Sequence, residues 1–88
     1  MAQLGLDPEQ MTQLSKTMRA EADAIDASAK KIDGKLRSTW WKGKDSDKFK
    51  GQWEGRHRKA VNDAARVLRE AGEHINSQVA EQNQASGR

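Results

Sequence analysis

His57 and His74 are the only histidines of the chain and its first candidates for proton transfer or metal ligation. They stand seventeen residues apart. On a helix that spacing leaves them about 25 Å apart along the axis, too far to share a ligand. Neither lies in an H-E-x-x-H pattern, and no cysteine exists to complete a mixed site. His57 sits within Arg56-His57-Arg58-Lys59, where a solvated imidazole is the plain reading. Ser15, Ser28, Ser38, Ser46, Ser77 and Ser86 have no patterned base and orienting acid beside them. Asp23 and Asp26 read as solubilising surface rather than an acid–base pair. Gly51-Gln52-Trp53-Glu54-Gly55 lacks the lysine and the strand-to-helix context of a phosphate loop. The expectation is a protein that is not an enzyme and holds neither cofactor nor metal.

A different chemistry is available near the middle. Lys42, Lys44, Lys48, Lys50, Arg56, Arg58 and Lys59 cluster around Trp40, Trp41 and Trp53. Basic side chains among aromatic rings suit phosphate contact and base stacking. They also suit an anionic lipid surface. Against the first, the flanking helical patterns are too long for a helix-turn-helix unit, and the tryptophans have a packing role open to them. A basic hairpin that binds nucleic acid or a membrane surface therefore stands as the alternative reading. The charge is local. The net formal charge is +3, yet residues 35–59 carry nine Lys/Arg against three Asp/Glu.

Eighty-eight residues make one domain. Hydrophobic content of 34% against 33% charged is low for a self-sufficient globule, so help from oligomerisation is expected. With no cysteine, disulfides supply none of that help. No apolar run is long enough to span a bilayer. The first residues do not pair a basic stretch with an apolar one, so no general signal peptide is expected.

Two long helices must position the basic, aromatic middle. Residues 1–6 read as a loose start. Asp7 then caps a helix, Pro8 takes its first position, and Gln10 takes the third position of a capping box. Leu6 is placed to staple onto Met11. Apolar residues follow at Met11, Leu14, Met18, Ala22, Ile25, Ala29, Ile32 and Leu36, with spacings of four and three from Met18 onward. That is a heptad-like seam, in which alternating alanines would let another helix approach closely. The first helix is expected over about 8–41, with Trp40 continuing the spacing of Leu36 and Trp41 folding into the bend.

The bend is expected over about 42–45. Gly43 can adopt a backbone conformation denied to other residues and end the helix. Asp45 or Ser46 can cap the next one. The second helix is expected over about 46–79, carrying Phe49 and Trp53 near its start and Val61, Ala64, Leu68, Ala71, Ile75 and Val79 behind them. Gly51, Gly55 and Gly72 mark either a close helix approach or a local irregularity. Residues 80–88 lose the apolar stripe and read as a frayed, flexible tail. The fold class expected is all-α: an antiparallel helix-turn-helix hairpin whose remaining apolar face pairs two hairpins into a four-helix bundle dimer.

Trp41-Lys42-Gly43 lies mid-chain between two helical patterns, with Phe49 and Trp53 following eight and twelve residues after Trp41. In this combination residues 6–80 resemble the WXG100 family, the small ESAT-6-like proteins of type VII secretion. The resemblance implies a helical hairpin that forms a homodimer, or a heterodimer with a related WXG100-like chain. It implies export through a membrane-bound secretion ATPase, giving a secreted or cell-surface protein without a signal peptide. Trp41 and Gly43 would form the surface met by the export machinery, and Trp40, Phe49 and Trp53 would pack the bend. Met11, Leu14, Met18, Ile25, Ile32, Leu36, Val61, Leu68, Ile75 and Val79 would form the seam of hairpin and dimer. The Lys-rich bend and Ala-rich second helix look more like an actinobacterial member. Many members carry Tyr, three residues, then Asp or Glu after the second helix as an export signal. This chain has no tyrosine. A partner would then have to supply that signal, and without one the chain would stay in the cytoplasm.

Overall fold

The computed structural model describes the backbone of residues 5–87 and the side chains of residues 5–84. Of the loose start expected at residues 1–6, residues 1–4 lie outside the described residues, as does Arg88 of the expected tail. The described chain is all-helical. Helix α1 spans Pro8–Ser38, and helix α2 spans Lys44–Gln52. A π-helical turn over Trp53–His57 joins α2 without a break to helix α3, Arg58–Gly87. α3 folds back against α1 as an antiparallel hairpin.

The hairpin is a rod of 65 × 21 × 18 Å with a radius of gyration of 19.7 Å. A compact chain of this length would have a radius near 12 Å. Such a shape has little interior, and the buried residues show how thin the core is. Ala22, Ala29 and Ala65 are buried, with Ser15, Gly72 and Ile75 beside them. Ser15, Ala22 and Ala29 repeat every seven residues on α1, and Ala65 and Gly72 do so on α3. Side chains this small let the two backbones approach closely. At Gly72 an added Cβ would already meet the Ser15 carbonyl oxygen at 3.4 Å. The Ser15 hydroxyl uses the proximity, donating to the Gly72 carbonyl at 3.0 Å.

α1 begins as its sequence dictates. The Asp7 carboxylate accepts from the Gln10 amide at 3.0 Å, and Pro8 occupies the first turn, where its missing N–H costs nothing. Its far end departs from expectation. The helix closes at Ser38, short of Trp41, because two hydroxyls take the place of the next turn. Ser38 Oγ and Thr39 Oγ1 both donate to the Lys35 carbonyl, at 3.1 and 2.7 Å, and Thr39 turns extended.

Gly43 does hold a positive φ, 121°, the conformation that excludes side chains. Its place differs from expectation: it caps the start of α2 and does not end α1, which has already closed. Neither Asp45 nor Ser46 is the cap. Both lie inside α2, and the Ser46 hydroxyl reaches back to the Trp41 carbonyl. At the other end, the tail expected to fray from residue 80 stays helical to Gly87. The register set by Ser15 and Gly72 places Val79 opposite Pro8, so residues 80–87 extend beyond α1, past its first turn. Gly5 lies there, where an added Cβ would stand 3.6 Å from the Gln82 side-chain nitrogen.

Candidate functional site

The bend between α1 and α2 carries the aromatic and basic residues singled out above, and it separates the four aromatic rings into three environments. Trp41 and Phe49 face each other, with ring centroids 5.6 Å apart and planes tilted by 44°. Ser46 anchors this pair, since its buried hydroxyl holds the Trp41 carbonyl at 2.8 Å. The residue is 1% exposed although it is polar, which a satisfied hydroxyl permits.

Trp53 belongs to a second group. Its indole N–H donates to Asp33 of α1 at 2.8 Å. The Arg58 guanidinium donates to the same carboxylate, with its nearest contact at 3.0 Å, and also reaches Asn62. The indole hydrogen bond, aided by the Arg58 guanidinium, holds the Asp33 carboxyl below the ordinary aspartate value. The π-helical turn makes this arrangement available. Its extra backbone residue is spanned by the bond from the Arg58 amide to the Trp53 carbonyl. The phase of the helix shifts there, so the aromatic residues of α2 and the apolar residues of α3 do not share one straight stripe. Asp33, Leu36, Arg37, Lys50, Trp53, Glu54 and Arg58 line the shallow cleft of about 660 Å³ beside it.

Trp40 stands alone. It is 84% exposed, so it packs neither into the bend nor along the stripe of Leu36. The early end of α1 is the reason: Trp40 follows Thr39, whose extended backbone breaks the helical phase that Leu36 belongs to. Phe49 and Trp41 remain 40% and 37% exposed, and an added Cβ on Gly43 would meet nothing within 4 Å. Together with Arg37, Lys42, Asp47 and Lys50, these residues form an open tip.

The second candidate surface runs along the hairpin. Of the large apolar residues expected in the seam, only Ile75 is buried within the single hairpin. Leu14 and Ile32 are 43% and 46% exposed, and Val67 is 54% exposed. Met11, Met18, Ile25, Leu36, Val61, Leu68 and Val79 are half-buried. Ile25, Ala29, Ile32, Trp53 and Val61 line one open apolar groove, with Glu21, Ala24 and Ser28 at its edges. The glycines 51 and 55, which share a helical spacing, face open space instead of a neighbouring helix.

Ion pairs fix the alignment of the shaft. Arg69 of α3 meets both Asp23 and Asp26 of α1 at 2.7 Å, so this acidic pair is more than solubilising surface. Hydrogen bonds donated to the Asp23 and Asp26 carboxylates raise the Arg69 guanidinium above its ordinary value. Along α3, Lys59, Asp63, Arg66 and Glu70 form a ladder of contacts from 3.0 to 3.6 Å. His57 and His74 are both exposed. The Asp33–Trp53–Arg58 group and the Arg69 clamp are the site features that sequence reasoning missed. Their partners lie 20 to 46 residues apart, where no helical spacing connects them. Comparison with family models, with curated proteins and with solved structures finds no match to this chain.

Proposed function

We propose that the chain is a non-enzymatic pairing protein of the WXG100 kind, a type VII secretion substrate or the co-secreted partner that escorts one. The observation that carries this reading is the uncovered apolar face. The hairpin closes on alanine, serine and glycine, and leaves Leu14, Met18, Ile25, Ile32, Val61, Val67 and Leu68 partly or largely in water. Covering such a face is favourable by roughly 25 cal/mol per Å² of apolar surface removed from water. A second hairpin, antiparallel and either identical or related, would bring a matching face and complete a four-helix bundle.

The W-x-G bend supports the secretion part of the reading. Trp41 is held by Phe49 and Ser46, and Gly43 has the backbone angle that only glycine adopts readily. The two would form the surface offered to the export machinery, a membrane-bound ATPase. The chain has no tyrosine, so its partner would carry the tail signal and the pair would leave folded together.

Light scattering at micromolar concentration tests the pairing, with twice the 9.8 kDa chain mass expected. A monomer that remains fully helical overturns it. Purification from the native host followed by mass spectrometry separates a second copy from a related chain. Secretion is tested in that host with and without the neighbouring genes. Retention in the cytoplasm on loss of the partner is expected, and deletion of residues 80–88 should be tolerated. Efficient export of a lone homodimer, abolished by that deletion, would defeat the partner-signal reading.

A further inference from the structure

The shaft and the tip of the rod differ in how their charges are used. Along the shaft, Arg58, Lys59, Arg66 and Arg69 all meet carboxylates. Around the bend, residues 35–50 carry six Lys/Arg against two Asp/Glu. Among the described residues, Arg37, Lys42, Lys44, Lys48 and Lys50 enter no ion pair. Asp45 and Asp47 sit in the first turn of α2, where they offset part of that charge and complement the helix dipole. The uncovered indole of Trp40 stands within the same tip.

We propose that this tip docks on anionic lipid headgroups, with Trp40 as the interfacial anchor and Lys42, Lys44 and Lys48 among the cations that hold it. An indole joins an apolar body to one N–H donor and prefers the boundary between headgroups and acyl chains. Lysines beside it gain from the negative surface potential of an anionic leaflet. The bend closes one end of a 65 Å rod about 20 Å across, so it can meet a flat surface end-on while the shaft stands clear. This role goes beyond pairing, because it uses none of the apolar face of the hairpin.

A single-stranded nucleic acid fits the same charges less well. Binding of that kind uses several free rings on which successive bases stack. Here Trp41 and Phe49 are packed against each other at a tilt, with well under half of each exposed beside 84% for Trp40, and Trp53 is tied to Asp33. One ring, Trp40, is left largely free, which suits an anchor better than a stacking platform.

The test is co-sedimentation of the full chain with phosphatidylcholine vesicles, with and without phosphatidylglycerol. Binding to the anionic vesicles alone, weakened by added salt, is expected. Each lysine near the surface contributes about five-fold in affinity, so the Lys42→Ala, Lys44→Ala double variant should bind roughly twenty-five-fold more weakly. Trp40→Ala keeps the charge and should lose about ten-fold, the order expected for burying one large apolar side chain. Its exposure means that circular dichroism should show unchanged helicity. Ile32→Glu, on the apolar face, should leave vesicle binding intact. Equal binding to neutral vesicles, no effect of Trp40→Ala, or loss through Ile32→Glu alone would each overturn the proposal. So would tighter binding to single-stranded DNA than to anionic vesicles in the same buffer.

Discussion

Trp53 and Asp33 are joined across the hairpin by a 2.8 Å hydrogen bond from the indole N–H to the carboxylate, twenty residues apart in sequence. The contact ties the π-helical turn to α1, one turn before α1 closes. Arg58, at the end of that turn, holds the same carboxylate from a second direction. The junction between the bend and the shaft is thus set by one acid serving two donors.

Acid should loosen this junction. Asp33 has a folded-state pKa below its unfolded value, chiefly through the Trp53 hydrogen bond. Its contribution is therefore fully present above the unfolded value and is lost as pH falls through the folded one. Asp63, held low first by its hydrogen bond from Lys59, acts in the same direction. Thermal melts should show stability falling below about pH 4, the ordinary aspartate range. Asp33→Asn should lower the melting temperature at neutral pH and flatten the acid dependence. An unchanged pH profile in that variant would remove Asp33 as a cause.

Seam substitutions should depend on size. Ala22→Leu places a large side chain where none fits, and should destabilise the hairpin by about 1–3 kcal/mol. Gly72→Ala should have the opposite sign. Its Cβ would make ordinary contacts at 3.4–3.8 Å with Ser15 and Met18, and the helix would gain roughly 0.5–1 kcal/mol in propensity. Urea titrations of the two variants measure both effects.

Gly43→Val should destabilise the bend by about 1–3 kcal/mol, the cost of a strained backbone conformation. The cause is φ = 121° and not crowding, since an added Cβ meets nothing within 4 Å. Gly43→Ala should cost about as much, because φ = 121° with ψ = −179° is a region essentially reserved for glycine and the strain does not depend on side-chain size. A clearly smaller loss for Gly43→Ala in circular dichroism melts would contradict this account.

Trp41→Ala should disturb the bend and spare the pairing of helices. Its ring is 37% exposed and its defined aromatic contact is Phe49. Such a pair contributes about 0.5–1.5 kcal/mol beyond area burial, well under the 3–5 kcal/mol of a tryptophan in a full core. A modest drop in melting temperature with unchanged mass by light scattering is expected. Loss of the proposed dimer in this variant alone would place Trp41 in the pairing surface.

Several features of the fold were legible in the residues themselves. Asp7 and Pro8 announce the start of α1, because a carboxylate before a proline satisfies free amides at no cost to the helix. The four-and-three spacing of apolar residues announces two helices, and Gly43 announces the break between them. These are local signals, decided by backbone sterics and side chains a few residues apart.

Tertiary structure decided which part of each apolar face went inside. A periodicity of 3.6 places Ala22, Ile25, Ala29 and Ile32 on one broad face, but it does not rank them. Close approach of the backbones does. At the distance set by Ser15 and Gly72, alanines fill the contact and the larger Ile25 and Ile32 are pushed toward its open edge. Trp40 left the stripe because the Ser38 and Thr39 hydroxyls closed α1 early, and Trp53 found Asp33 once the π-helical turn had shifted the phase of its helix. Such outcomes depend on contacts between distant segments, which helical spacing alone does not encode.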